Sequence, residues 1–193
     1  MLGQQLILKN GERFDLDIKA GDYVIDCGAN VGDIANIFQS SGATVIAFEP
    51  NTHAYEILQT RFASNPRVKC VQKGVSGIKS AGIKKLFLHE KAEEDHVTYS
   101  TGSSILEGKN NVNKDNFINV EMVNLCEFLK LFKKEIKILK IDIEGAEVEL
   151  LNDLMNEGLA RNIPYIFVET HEEKIPEPVS YTHLRAHETG RNL

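Results

Sequence analysis

The stretch from Tyr23 to Pro50, YVIDCGANVGDIANIFQSSGATVIAFEP, constrains the fold more than any other, because it reads as strand, glycine turn, helix, strand and then an acid. Tyr23, Val24 and Ile25 are a short apolar run suited to a buried parallel strand, and Asp26 marks where that run reaches polar surroundings. Gly28 and Gly32 then open a helix. From Val31 the apolar residues Ile34, Ala35, Ile37 and Phe38 recur at three-and-four spacing, Asp33, Asn36 and Gln39 fall on the other face, and Ser40, Ser41 and Gly42 end the run. Thr44 to Phe48 is a second apolar strand. Glu49 stands at its carboxyl end, where nucleotide-type folds read ribose hydroxyls.

The glycine pattern bears on the ligand. A dinucleotide fingerprint needs three glycines so that a pyrophosphate can approach the backbone at a helix N-terminus. Here the middle position is Asn30, which tolerates left-handed backbone but carries a side chain that would crowd a pyrophosphate. A cofactor without phosphates fits better. S-adenosylmethionine is one: its ammonium can meet Asp26, its backbone can pass over Gly28, and its ribose diol can be held by Glu49.

A second segment, Ile136 to Leu151 (IKILKIDIEGAEVELL), is another buried strand that ends in Asp142, Glu144 and Gly145. It passes into a helix with Val148, Leu151, Leu154 and Met155 on one face. Ligands of open α/β sheets bind outside the carboxyl ends of the strands, so Asp142 and Glu144 are expected to face the same crevice as Asp26 and Glu49. Pro164 to Glu172 (PYIFVETHE) is a third strong strand, whose exit carries Glu169 and His171 on a shared face.

Together DCGANVGD at Asp26 to Asp33, FEPN at Phe48 to Asn51, LKIDIEGAE at Leu139 to Glu147 and VETHE at Val168 to Glu172 resemble the FkbM-like family of S-adenosylmethionine-dependent methyltransferases. The likeness covers roughly Ile18 to Glu172. It implies a class I, Rossmann-like methyltransferase fold and methyl transfer to an oxygen, often a hydroxyl of a sugar or of a glycosylated or polyketide product. By analogy with that fold, Gly74, Val75 and Ser76 follow the third strand where adenine contacts are made.

The rest of the chain fills in a single α/β domain with a doubly wound, mostly parallel sheet. Asn51 caps a helix carrying Ala54, Ile57, Leu58 and Phe62, and Asn65-Pro66 breaks it before a strand from Val68 to Gln72. Lys84 to His89 reads as a strand, Val120 to Val123 as a short one, and Leu125, Phe128, Leu129 and Phe132 mark the next helix. Thr98 to Gly108, TYSTGSSILEG, is a hydroxyl-rich loop, either an ordinary connector or a cover for the ligands with Ser103 and Ser104 as contacts. After Pro178 the text becomes VSYTHLRAHETGRNL, which has neither helical nor strand periodicity and resembles translated cloning or adapter sequence. The expectation is therefore a methyltransferase domain over 1–178, truncated after its fifth strand, and a non-native tail over 179–193. That leaves the Tyr165 to Glu169 strand as an unprotected edge.

Composition narrows the class. A chain of 193 residues with 42% hydrophobic content suffices for one core, and a net charge of -6 argues against a nucleic-acid footprint. Lys133, Lys134 and Lys137 read as a solvated face at a helix end. The sequence shows no membrane-length apolar run and no signal-peptide profile, so the expected setting is cytoplasmic and the expected partner a small-molecule hydroxyl acceptor. Cys27, Cys70 and Cys126 are odd in number and lack metal spacing, as buried reduced thiols would.

For chemistry, a sulfonium-activated methyl group leaves positioning and removal of the acceptor proton to the protein. His171 is the best base on intrinsic pKa, with Asp142 or Glu144 next. The cofactor side comprises Asp26, Gly28, Asn30, Gly32, Glu49 and Ser76. No metal is expected, although Asp142, Glu144, Glu169 and His171 would also suit an oxygen-rich divalent site. Two other classes share these features: a nicotinamide-dependent oxidoreductase, against which the missing third glycine counts, and a non-catalytic cofactor-binding fragment.

Overall fold

The computed structural model describes residues 4–7, 13–89, 112–143 and 145–169. Its centre is a five-stranded parallel sheet built from β3 (Tyr23–Cys27), β4 (Thr44–Phe48), β5 (Val68–Val71), β9 (Ile136–Ile141) and β10 (Tyr165–Val168), in the order β10-β9-β3-β4-β5. β3 lies in the middle, flanked by β4 and β9, so the first strand of the sequence motif meets a strand more than a hundred residues away. β10 borders the sheet on one side and β5 on the other.

These strands are apolar on both faces because helices cover both, the pattern parallel sheets require. One face packs Val24, Val45, Ala47 and Ile138 against α1 (Asp33–Ser40) and α2 (Thr52–Phe62) through Ala35, Phe38, Leu58 and Phe62. The other packs Ile25, Ile46, Phe48, Leu139 and Ile141 against α3 (Leu125–Leu131) and α4 (Glu147–Asn156) through Leu125, Leu129, Leu150 and Leu154. The doubly wound, Rossmann-like arrangement expected from the sequence is therefore present.

Local signals explain the helix starts. Asn51 caps α2, its side-chain oxygen accepting from the His53 and Ala54 amides at 3.0 and 3.3 Å, and Asn124 caps α3 through the Glu127 amide. Asn65 follows the end of α2, and β5 begins at Val68.

Several expectations need correction. The short strand placed at Val120 to Val123 is the end of β8 (Val112–Asn124), a thirteen-residue strand. Asp115, Phe117, Asn119 and Glu121 face outward, the three polar ones being residues of low strand propensity, while Val120 and Met122 are buried. β8 does not continue the parallel sheet. It pairs antiparallel with β7 (Gly82–His89) and parallel with β6 (Gly74–Ser76), forming a separate three-stranded sheet, and β1 (Gln4–Ile7) and β2 (Arg13–Leu16) form an antiparallel pair of their own. On α4 the core face is Glu147, Leu150 and Leu154, and Met155 is 40% exposed. Cys27 and Cys126 are buried free thiols, but Cys70 is only partly buried. The Thr98 to Gly108 loop with Ser103 and Ser104, and the segment 179–193, lie outside the described residues.

No helix among the described residues is long and apolar enough to cross a membrane.

Candidate active site

The carboxyl ends of β3, β4 and β9 meet at one edge of the sheet, and the turn after β3 folds over them. Gly28 leaves β3 with φ of 79°, and both its amide and that of Ala29 donate to the Phe48 carbonyl at 3.0 and 2.9 Å. Asn30 follows at φ 50°, among the described residues the one non-glycine in the left-handed region. Gly32, at φ 90°, is the N-cap of α1. Packing by itself demands both glycines. A β-carbon at Gly28 would overlap the backbone carbonyl of Asp142, and one at Gly32 would sit 2.6 Å from the Phe62 ring and 2.7 Å from Leu58.

Glu49 organises the turn. One carboxylate oxygen accepts the Asn30 amide and the other the Asn51 amide, each at 2.8 Å. The side chain is only 7% exposed. Burial pushes its pKa up to about 7, while the hydrogen bonds from the Asn51 and Asn30 amides pull the other way.

Beneath the turn lies a charge cluster. Asp26 and Lys140 are register partners on adjacent strands, and alternation puts their side chains and that of Asp142 on the same face of the sheet as Val24 and Ile138. The Lys140 ammonium donates to the Gly28 carbonyl at 2.7 Å and stands 3.3 Å from both Asp26 Oδ1 and Asp142 Oδ2. Burial opposes its charge, but the two aspartates outweigh that effect and hold its pKa above the usual lysine range. Asp26 is fully buried, and its oxygens form no aligned hydrogen bond among the described residues. Burial raises its pKa against the pull of Lys140. Burial likewise pushes the neighbouring Cys27 thiol up, which leaves it protonated and unreactive.

After β9, Asp142 is partly buried and its amide donates to the Cys27 carbonyl at 3.0 Å. The following turn is held by Glu147, whose oxygens accept the Ile143 and Gly145 amides at 3.1 and 2.9 Å. Glu169 follows β10, its amide bonded to the Ile141 carbonyl.

The structure thus brings Asp26, Gly28, Asn30, Gly32, Glu49 and Asp142 together. Ser76 stands in the separate sheet, fully buried, its hydroxyl bonded to the Gly77 carbonyl at 3.1 Å. Glu144 and His171 lie outside the described residues, so two members of the alternative metal set with Asp142 and Glu169 do as well.

Sequence reasoning overlooked Lys140 and Glu147. The signal for Lys140 was a lysine between the apolar Leu139 and Ile141 near the end of a strand buried on both faces, where a charge must find partners. For Glu147 it was an acid in the first turn of a helix directly after a glycine turn.

Comparison with known proteins agrees with this geometry. A model of the FkbM methyltransferase domain matches residues 26–189. A chloroplastic ribosomal RNA small subunit methyltransferase of Arabidopsis thaliana is 33% identical over 75 residues, 37% of this chain and 22% of that protein. Methyltransferase sdnD of Sordaria araneosa is 26% identical over 185 residues, 81% of this chain and 69% of that protein. No solved structure matches the chain. With the domain match running from the acid of β3 through every strand end that builds the site, the chain belongs to the FkbM methyltransferase domain family.

Proposed function

We propose that this chain uses S-adenosylmethionine to methylate a hydroxyl oxygen of a small acceptor, of the sugar, glycosylated or polyketide type. The observation that carries the cofactor reading is the hydrogen bond from the Asn30 amide to Glu49. In a dinucleotide fold the amides of this turn and the helix N-terminus receive the pyrophosphate. Here the Glu49 carboxyl already takes the central amide, so that donor is not available to a phosphate. An adenosyl ligand without phosphates suits the turn, and a nicotinamide dinucleotide does not.

The residues fit that ligand on charge as well. Asp26 and Asp142 flank one ammonium, Lys140, and Glu49 adds a third acid at the neighbouring strand end, an acidic setting that favours a cationic sulfonium. The Asp26 oxygens retain acceptor capacity that an ammonium would satisfy. Gly28, Asn30 and Gly32 would give the backbone surface for the cofactor, Glu49 the acceptors for its ribose diol, and Ser76 would complete the set from the outer sheet.

When bound, S-adenosylmethionine supplies a methyl group already activated on sulfonium. The protein's own task is then to hold the acceptor oxygen in line and to take its proton. Asp142 is anchored for that role by its amide bond to β3 and by Lys140. Glu144 and His171, which lie outside the described residues, are the other candidates for the base. An RNA acceptor, which the plant relative's name indicates for that protein, is disfavoured here by the net charge of -6.

Calorimetry with S-adenosylhomocysteine tests this reading, with NADH as comparator. Micromolar binding of the thioether, lost in Glu49→Ala, together with no heat from NADH is the expected result. Binding of NADH in preference would sink it.

A further inference from the structure

Lys140 is a charged residue in a strand whose neighbours Leu139 and Ile141 are fully buried, and its side chain is only 14% exposed. Burying an ammonium is costly unless its donors are met. It has three N–H donors, and three acceptors lie around it: the Gly28 carbonyl at 2.7 Å and one oxygen each of Asp26 and Asp142 at 3.3 Å. With its charge paired twice and one donor bonded to the turn, Lys140 is placed to hold the protein together rather than to bind a ligand.

Its partners belong to both halves of the site. Gly28 and Asp26 come from the cofactor turn and the strand beneath it, and Asp142 from the acceptor side. Resting on the functional reading above, we infer that Lys140 is a positioning residue that ties the glycine turn to the exit of β9, fixing the cofactor-binding backbone against the acceptor-side acid. Gly28 offers no side chain by which the turn could be held, so its carbonyl is the handle. The opposite side of the turn is fastened separately, by the Phe48 carbonyl and Glu49. Removing Lys140 therefore loosens one side of the turn while the core strands stay in place.

A simpler role would be neutralisation of the buried Asp26 alone, and two variants separate the roles. Lys140→Met removes both tether and charge. Lys140→Met combined with Asp26→Asn removes the tether while relieving the buried charge, and it carries the test if the single variant fails to fold. The readout is amide hydrogen exchange at Asn30 and Gly32, compared with Val45 and Ile46 in β4. Tethering predicts exchange at least about tenfold faster at Asn30 and Gly32 in the double variant, with β4 protection unchanged. S-adenosylhomocysteine affinity should fall about tenfold in parallel. Wild-type exchange at Asn30 and Gly32 in the double variant would overturn the inference and leave Lys140 as a counterion only. If the wild-type protein fails to bind S-adenosylhomocysteine, the functional reading falls, and the exchange rates still decide for or against the tether.

Discussion

Gly28 packs against the backbone carbonyl of Asp142 so closely that no β-carbon fits between them. That contact joins the turn proposed to hold the cofactor to the residue proposed to face the acceptor, and a hydrogen bond from the Asp142 amide to the Cys27 carbonyl runs beside it. The two halves of the proposed site are built on adjacent parallel strands, so the sheet sets the distance between the strand ends, and the turn above them is what Lys140 is inferred to hold.

Gly28→Ala is therefore expected to be far more damaging than backbone strain alone. Left-handed geometry costs a non-glycine residue about 1 to 2 kcal/mol. The overlap with backbone that cannot rotate away should bring the total to about 4 kcal/mol or more. Gly158→Ala is the control: its φ is 68°, but nothing lies within 4 Å of the added carbon. Urea unfolding of both variants should show a loss at Gly28 at least twice that at Gly158, at roughly the 1 to 2 kcal/mol scale for the control. Equal losses would mean that the close approach has no energetic weight.

Glu147 is 2% exposed and takes two backbone amides of the turn that carries Asp142. Glu147→Gln replaces one acceptor oxygen by an amide donor pointing at another donor. The expected cost is about 1 to 3 kcal/mol, with faster hydrogen exchange at Ile143 and Gly145. S-adenosylhomocysteine affinity should stay within about threefold, because the turn over β3 is held by other groups. Unchanged exchange at those two amides would remove Glu147 from this role.

What was legible in the sequence, and what was not, follows from the range of the interactions. Asn51 as a cap, the helix opened near Gly32 and the acid at the end of β4 are all readable from a few neighbouring residues. The Lys140 bond to Gly28 spans 112 positions and exists only because β9 docks beside β3. Sequence periodicity shows that both are buried strands but does not establish that they are neighbours. The outer sheet was obscure for a different reason: β8 is half exposed, and Asn116 in phase with its buried residues and Phe117 in phase with its exposed ones break the alternation that marks such a strand.

The helix α4 also fastens the connection after β6. Asp153 accepts the Ile78 amide at 2.7 Å, while Glu149 accepts the Lys79 amide at 3.2 Å and the Ser80 hydroxyl at 2.7 Å. Gly77 makes room for both carboxylates, since a β-carbon there would press on each of them. Because both acids hold one turn, the loss of either should make the other less useful. Asp153→Ala and Glu149→Ala are each expected to cost about 1 kcal/mol, and the double variant about 0.5 kcal/mol less than their sum. A double-mutant cycle by urea unfolding measures this, and strict additivity would show that the two bonds act independently.

Glu49 gives the sharpest dependence on pH. Its pKa in the folded protein is raised from 4.5 to about 7, chiefly by burial. An acid whose pKa is raised on folding binds its proton more tightly in the native state than in the unfolded chain. Between those two values the native state holds more protons, so this residue makes stability fall as pH rises and adds no further change above about 7. A rise of this size corresponds to a loss on the order of 3 kcal/mol across the window. Glu49→Gln cannot ionise and should escape it. The stability difference between the variant and the wild type, followed by urea unfolding from about pH 5 to about pH 8, should therefore shift in favour of the variant as pH rises and level off near neutrality. At low pH the variant has no such advantage, since the wild-type carboxyl is then already neutral. A difference that stays constant through the window would show that Glu49 titrates near its ordinary value, with the Asn30 and Asn51 amides offsetting the cost of burial.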